Sequence, residues 1–254
     1  MIPWIKAIAV IVVLGGLLLA GSSLYKHIIQ MPETQLSEII ISGARHSSQD
    51  DIRGIVKACC PECLLLADLE KIRESVETLP WISEVLIRRR LPDTLIVEVT
   101  ERKPMAVAGV DNKLYLVDRE GIILDPFSTQ QELLAKPVVR GLKHQLREDS
   151  EEYNLIRMQT YLRALEEFQS ATRDYSEAIS EIDVTDPENV SIIPRGDPIV
   201  IYLGDKSFRD RYESFLSRKQ LYYQIKKQYG TLQYIDISFD KQIIFRTEKQ
   251  EIEG

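Results

Sequence analysis

Hydrophobic residues dominate the start of the chain, where residues 7–24 form eighteen positions without a charge. A helix of that length can cross the hydrocarbon core of a membrane, which is about 30 Å thick, whereas a buried soluble helix rarely needs it. Lys6 precedes the run, and Tyr25 and Lys26 follow it at the position of an interfacial anchor. The pattern therefore predicts a short cytoplasmic leader at residues 1–6, a transmembrane helix at residues 7–25 and a tether at residues 26–35.

A cleaved signal peptide is the alternative for this apolar run, because small residues cluster near its end at residues 19–23. The run is longer than the apolar core of about 7 to 15 residues that such peptides carry, which favours an uncleaved anchor. Because the leader is so short, we expect a single-pass protein whose N-terminus is cytoplasmic and whose bulk is translocated.

After the tether, the pattern switches between helical and strand periods. Leu36–Ser42 predicts a strand, because it holds three consecutive isoleucines before Gly43. Apolar residues at helical spacing then predict one helix after a Ser47 or Ser48 cap, and a second helix from Asp68 to Pro80. On both sides of residues 91–93, apolar residues then recur at every second position, which predicts two strands joined by a hairpin turn. The predicted order is strand, helix, helix, strand, strand.

The second half of the chain predicts a sheet with two helices. It begins with a hairpin of residues 114–118 and 121–124, and a polar connection follows at residues 126–150. Apolar positions at helical spacing predict helices at residues 151–170 and 208–229. Alternating or β-branched segments bounded by turn residues predict the remaining strands, at residues 179–184, 190–193, 199–203, 234–239 and 243–246.

Charge and motif content argue against several classes of function. The net charge of −7 argues against a nucleic-acid surface, and the only dense basic cluster is Arg88–Arg90. None of the three histidines, His27, His46 and His144, lies near a catalytic motif, and no nucleophile elbow, zinc-binding helix or phosphate-binding loop is present in the sequence. We therefore predict no catalytic, cofactor or metal site and no small-molecule substrate.

The cysteines leave one enzymatic alternative open. Cys59, Cys60 and Cys63 are the only cysteines, so a fold built on disulfides is excluded. Cys60 and Cys63 form a C-P-x-C sequence that could support an extracytoplasmic thiol-disulfide protein. The predicted helix precedes these cysteines, and the dipole at its C-terminal end would raise the thiol pKa, which favours a structural or incidental cluster.

One segment carries a more specific signal than any of its parts. Pro80 and Trp81 end a helix, Pro92 sets a hairpin turn, and alternating valines fill one face of a sheet. This combination resembles a POTRA domain of the FtsQ/DivIB family of bacterial cell-division proteins. The residues that carry the resemblance are Leu79, Pro80, Trp81, Ile82, Val85, Ile87, Arg89, Pro92, Leu95, Val97, Val99, Glu101, Arg102, Pro104 and Ala106.

The resemblance extends over nearly the whole chain and implies its domain organisation. The fold class is α+β, with an N-terminal transmembrane helix and a POTRA domain of β-α-α-β-β order at residues 36–104. An FtsQ-type β-rich domain with flanking helices follows at residues 105–247, and a tail occupies residues 248–254. A POTRA adaptor for secretion or barrel assembly is an alternative, but the amphipathic strands of a membrane barrel are not found in the sequence.

The resemblance also implies a function without catalysis. FtsQ/DivIB proteins are scaffolds of the inner membrane at the division septum, and they bind the small bitopic proteins FtsB and FtsL through the end of the β domain. An edge strand can do this because its backbone is unpaired on one side. Arg88 and Arg89 are the candidates for septal recruitment by the POTRA domain. The candidates for binding FtsB-like and FtsL-like partners are Tyr234, Asp236, Phe239, Lys241, Gln242, Ile243, Ile244 and Phe245.

Overall fold

The computed structural model describes residues 3–29, 35–60, 64–128, 136–144, 150–169, 174–239 and 242–247. The chain divides into two units whose boundary lies between Arg102 and Lys103. Its first element is helix α1, Pro3–Ile29, as the N-terminal pattern predicts. Within the described part of the chain, no helix combines the length and the hydropathy of a membrane span.

The first unit continues with three strands and two helices in the predicted order. Strand β3 lies at the centre of the sheet, in the order β1-β3-β2, and pairs in parallel with β1 and antiparallel with β2. The β2–β3 turn contains a cis peptide bond between Leu91 and Pro92. The elements are β1 (Glu38–Ser42), α2 (Gln49–Cys59), α3 (Leu69–Glu77), β2 (Ile82–Arg90) and β3 (Thr94–Glu101).

Local sequence explains both helices of this unit. The Ser48 hydroxyl accepts a hydrogen bond from the Asp51 amide at 3.3 Å and caps α2. The Asp68 carboxylate caps α3 in the same way, accepting from two backbone amides of its first turn. The apolar face of each helix packs against the sheet, and the burial of each such side chain stabilises the fold by roughly 1.5–3 kcal/mol. The helix residues that are fully buried are Ile52, Val56, Ile72 and Val76.

Glu101 ties the end of β3 to the loop before α2. Its carboxylate accepts hydrogen bonds from the backbone amides of Arg45, His46 and Ser47 at 2.7–2.9 Å, and from the His46 ring at 3.0 Å. Burial alone raises the pKa of Glu101, but these hydrogen bonds outweigh it and lower the pKa to about 2. The His46 ring also stacks on Trp81, with 4.4 Å between the ring centroids. One carboxylate thus orders the loop that leads into α2.

Gly43 sits at the tight exit from β1. Its φ of +89° is a conformation that residues with a side chain rarely adopt, and a Cβ atom there would collide with the carbonyl oxygen of Val99. Glycine is therefore required where β1 leaves the sheet.

The described residues of the second unit form a nine-stranded sheet with three α-helices. The strands lie in the order β12-β11-β10-β9-β8-β7-β4-β5-β6. The first elements are β4 (Ala106–Val110), β5 (Lys113–Val117), β6 (Ile123–Pro126), β7 (Val138–Arg140), α4 (Ser150–Phe168) and β8 (Ile179–Asp183). The others are β9 (Val190–Pro194), β10 (Val200–Gly204), α5 (Phe208–Ser217), α6 (Lys219–Tyr229), β11 (Leu232–Asp236) and β12 (Ile244–Thr247).

The three helices share one core with the inward side chains of the sheet. Aromatic rings fill much of it, and Phe168 and Tyr175 both meet Tyr212 edge to face at 6.0 and 5.6 Å between centroids. The Tyr161 hydroxyl donates to the Pro137 carbonyl at 2.7 Å, and burial raises the pKa of Tyr161 well above its ordinary range. The α+β class, with a β-rich C-terminal part and flanking helices, is therefore confirmed.

Sequence predictions for this unit are wrong at several places. The predicted single helix at residues 208–229 is two helices, because the Arg218 amide bonds the Phe215 carbonyl at 2.9 Å in a three-residue turn that ends α5. The connection predicted at residues 126–150 contains a strand, β7, which pairs in parallel with both β4 and β8. Strand β4 was also missed.

Candidate protein-interaction edge

Strand β12 lies at one end of the nine-stranded sheet. It pairs antiparallel with β11, and no other strand in the described ranges pairs with it. One row of its amide and carbonyl groups therefore lacks a strand partner there, which is the arrangement that accepts an incoming strand. The opposite end of the sheet is β6, whose last residue, Pro126, cannot donate a backbone hydrogen bond.

The two faces of β12 differ in character. Phe245 is opposite Ile235, and both Phe245 and the preceding Ile243 pack on the core of the second unit. Ile244 is opposite Asp236 on the other face of the sheet and remains 43% exposed. The core face therefore fixes the strand in place, while the other face leaves an apolar side chain open to a partner.

Tyr234 belongs to the same open face as Ile244. It is opposite Arg246 in β12, and its ring meets that of Tyr202 edge to face with centroids 5.3 Å apart. Asp236 ends β11 early, because its carboxylate accepts hydrogen bonds from the Ser238 amide at 2.9 Å and the Ser238 hydroxyl at 2.6 Å. This turn explains why β11 stops at Asp236 rather than continuing to residue 239 as predicted.

Phe239 and the two residues just before β12 border a groove beside the sheet edge. Phe239 is 54% exposed, and the groove has a volume of about 270 Å³. Its wall on the hairpin side contains Ile237, Phe239, Gln242 and Ile243, and its wall on the α5 side contains Ser207, Asp210, Arg211, Ser214 and Arg218. An exposed aromatic ring, a polar wall and the end strand of the described sheet therefore lie together.

The structure brings most of the predicted partner-binding residues together. Tyr234, Asp236 and Ile244 share the open face, Ile243 and Phe245 face the core, and Phe239 and Gln242 border the groove. Lys241, the remaining candidate, lies outside the described residues. The α5 side of the groove was missed, because its residues precede the hairpin by 14 to 25 positions and carry no local pattern. The position of α5 directly after β10 is the only available hint.

The two POTRA candidates have different surroundings. Arg88 is exposed and pairs across the hairpin with Glu98. The Arg89 guanidinium donates to the carbonyl oxygens of Leu64, at 3.0 Å, and Ala67, so it holds the segment that precedes α3. Recruitment by Arg88 and Arg89 stays a prediction, and Arg89 has a structural role beside it.

The cysteines follow a helix, as the sequence predicts. Helix α2 ends at Cys59, whose sulfur lies 3.4 Å from the Ser75 hydroxyl, and Cys60 is half-buried. Cys63, the second thiol of the C-P-x-C sequence, lies outside the described residues. Among the positions that are described, no group of three or more histidine, cysteine or carboxylate side chains could hold a metal ion.

Comparison with known families matches both units. The family described as POTRA domain, FtsQ-type, matches residues 34–102. The family described as cell division protein FtsQ/DivIB, C-terminal, matches residues 106–238, a range that ends before β12.

Individual proteins are similar to the chain over most of its length. A cell division protein FtsQ of Koribacter versatilis is 28% identical over 95% of this chain and 68% of its own length. The FtsQ of Syntrophotalea carbinolica is 25% identical over 87% of this chain and 76% of its own. The FtsQ of a Thioalkalivibrio species is 40% identical over a shorter stretch, 44% of this chain and 46% of its own.

Proposed function

Because the chain belongs to the FtsQ/DivIB family of cell-division proteins, we propose that it is a membrane-anchored scaffold of the division machinery at the septum. It recruits FtsB-like and FtsL-like bitopic proteins and carries out no catalytic step. The observation that carries this proposal is the position of β12 at the end of the sheet. A partner segment adds to β12 as a further strand.

Strand addition suits this edge for two physical reasons. The backbone groups of β12 supply affinity without regard to the partner's sequence, and the side chains beside them supply specificity. Ile244 and Tyr234 offer the open face, while Phe239 offers an apolar contact next to the groove. A partner that extends from the edge into the groove would therefore meet apolar, aromatic and charged groups in succession.

The uncharged run at residues 7–24 supports the proposed anchor. Eighteen residues in a helix extend about 27 Å at roughly 1.5 Å per residue, close to the thickness of a hydrocarbon core of about 30 Å. The large apolar side chains between Ile11 and Leu19 are more than half exposed. We assign residues 7–25 as the transmembrane segment, with the N-terminus in the cytoplasm and the residues that follow the tether outside it.

Replacing Phe239 with glutamate tests the proposed surface. We expect the full chain in detergent to bind an FtsB-like peptide at least tenfold more weakly, because the change puts a charge where an apolar ring met the partner. Tyr229→Glu is the matched control, since Tyr229 is similarly exposed, at 49%, but does not line the groove. Equal binding by Phe239→Glu and the unaltered protein in a pulldown would count against this surface.

A further inference from the structure

A second concave surface of the C-terminal unit, the aromatic pocket, lies between the β9–β10 turn and helices α5 and α6. Its volume is about 420 Å³, within the range of about 300–1,000 Å³ that is usual for ligand pockets. The turn contributes residues 194–199, and the helices contribute Tyr212, Phe215, Leu216, Lys219, Tyr222, Tyr223 and Lys226. None of these residues lines the groove beside β12.

The floor of the aromatic pocket is apolar and rigidly packed. Tyr212, Phe215 and Tyr222 are each at most 4% exposed, and the centroids of Phe215 and Tyr222 lie 5.9 Å apart. Tyr223 stands at the rim with 51% of its surface exposed, and its ring centroid lies 5.2 Å from that of Tyr222. An entering apolar side chain would therefore meet aromatic surface both below it and beside it.

Asp197 is the one carboxylate among the described residues of the pocket lining, and it is already satisfied. Asp197 accepts a hydrogen bond from the Tyr222 hydroxyl at 2.5 Å and another from the Lys226 ammonium at 3.1 Å. Burial raises the pKa of Tyr222, and the bond to Asp197 raises it further, so Tyr222 remains a neutral donor. These bonds fix Asp197 within its own turn.

The rim of the pocket is positively charged in an otherwise acidic chain of net charge −7. Lys219 lies with its ammonium 5.6 Å from the Tyr223 ring centroid, and no carboxylate among the described residues pairs with it. The Lys226 side chain contacts Asp197 but is still 44% exposed. Lys219, Tyr223 and Lys226 follow the i, i+4, i+7 spacing of one face of α6. The Lys219 ammonium lies beside the Tyr223 ring, and the Lys226 ammonium lies 5.4 Å from the centroid of the neighbouring Tyr222 ring.

We propose that the aromatic pocket binds an acidic peptide segment of a partner protein, with one large apolar side chain inserted over the floor and carboxylates beside Lys219 and Lys226. Two features select this ligand. The apolar floor favours a large apolar side chain, and the positively charged rim attracts acidic residues and repels basic ones. The inference goes beyond strand addition at β12, because it concerns a different surface and a different mode of binding.

A fluorescent heptapeptide with a central tryptophan flanked by aspartate and glutamate provides the probe. Fluorescence anisotropy with the full chain in detergent at low ionic strength should show saturable binding. We expect at least tenfold weaker binding when the tryptophan is replaced with alanine, and likewise when the acidic residues are replaced with lysine. Absence of saturable binding by the acidic peptide, or equal binding by the lysine peptide, overturns the proposal.

Variants of α6 locate the site. Lys219→Glu and Tyr223→Ala should each weaken binding at least tenfold, while Lys227→Glu, on the same helix but outside the pocket lining, should change it less than twofold. Equal losses for Lys219→Glu and Lys227→Glu overturn the proposal, because they indicate general electrostatic attraction. The Ile244→Pro variant should still bind the acidic peptide, which would show that the aromatic pocket acts separately from the β12 edge. If the Ile244→Pro variant does not bind the peptide, the assignment of binding to the pocket is overturned.

Discussion

Replacing Ile244 with proline is expected to weaken binding of an FtsB-like segment at least 100-fold, which corresponds to about 2.7 kcal/mol. Proline removes an amide donor from β12 and prevents regular pairing at an edge strand. Whichever side of the strand the lost amide faces, either the incoming strand loses a hydrogen bond or β12 loses its register on β11. Isothermal titration calorimetry of the full chain in detergent measures the change.

Ile244→Val is the matched control for the proline variant. It shortens the half-exposed side chain but leaves the backbone donor and the strand geometry unchanged, so we expect binding within about threefold of the unaltered protein. Thermal unfolding should show that both variants keep the core of the second unit, because β12 contributes only partly buried side chains to it. Tight binding by a folded Ile244→Pro protein would mean that the backbone of β12 is not used.

Replacing Glu101 with glutamine is expected to lower the free energy of unfolding of the first unit by about 2 kcal/mol at pH 7. The neutral amide keeps the size of the side chain but loses the charge that three backbone amides and His46 stabilise. Urea titration monitored by the fluorescence of Trp81, whose ring stacks on His46, measures this loss. Trp4 is the only other tryptophan and should be replaced with phenylalanine in all variants.

The pH dependence of this effect has a definite sign. The pKa of Glu101 is lowered from 4.5 to about 2 in the folded protein, so its stabilisation is complete above about pH 4.5 and is lost as the pH falls towards 2. The difference in stability between the unaltered protein and Glu101→Gln should therefore shrink over that range. Glu74→Gln serves as the control, since Glu74 is exposed and should show little difference at any pH. A difference that does not depend on pH would contradict this role of Glu101.

Local sequence patterns were sufficient to predict most of the strands and helices of the first unit. Its strands and helices follow one another with a clear change of period, and the caps at Ser48 and Asp68 mark the helix starts. The role of Glu101 could not be predicted in the same way, because its hydrogen-bond donors precede it by 54 to 56 positions. Sequence spacing carries no information about a contact that only the folded chain creates.

The second unit shows where local patterns fail. All five residues of β4 are buried, and Ala106–Val110 has neither the alternation of polar and apolar residues nor the run of β-branched residues that identified the other strands. Strand β7 has only three residues and lies between Pro137 and Gly141, which on their own indicate a loop. Strand β7 is held by parallel pairing with β4 and β8, and a single sequence does not reveal such pairing. Strand β4 also pairs antiparallel with its neighbour β5, so its uniformly apolar sequence, not a distant partner, is what hid it.

The candidate interface could be predicted only in part, because some of its features are local in sequence and others depend on the whole fold. The final hairpin is local, so Tyr234, Ile244 and Phe245 could be assigned to paired strands before the fold was known. That β12 ends the sheet depends on the order of all nine strands, and the groove beside it depends on the packing of α5. The sequence thus indicated the segment, and the topology explains why that segment is open to a partner.

Hydrogen–deuterium exchange of the full chain, with and without a bound FtsB-like peptide, tests strand addition most directly. We expect amides of residues 244–247 to exchange at least tenfold more slowly in the complex, while those of β6 at the opposite end of the sheet are unchanged. Protection confined to other segments, with β12 exchanging at the same rate in the saturated complex, would contradict the account.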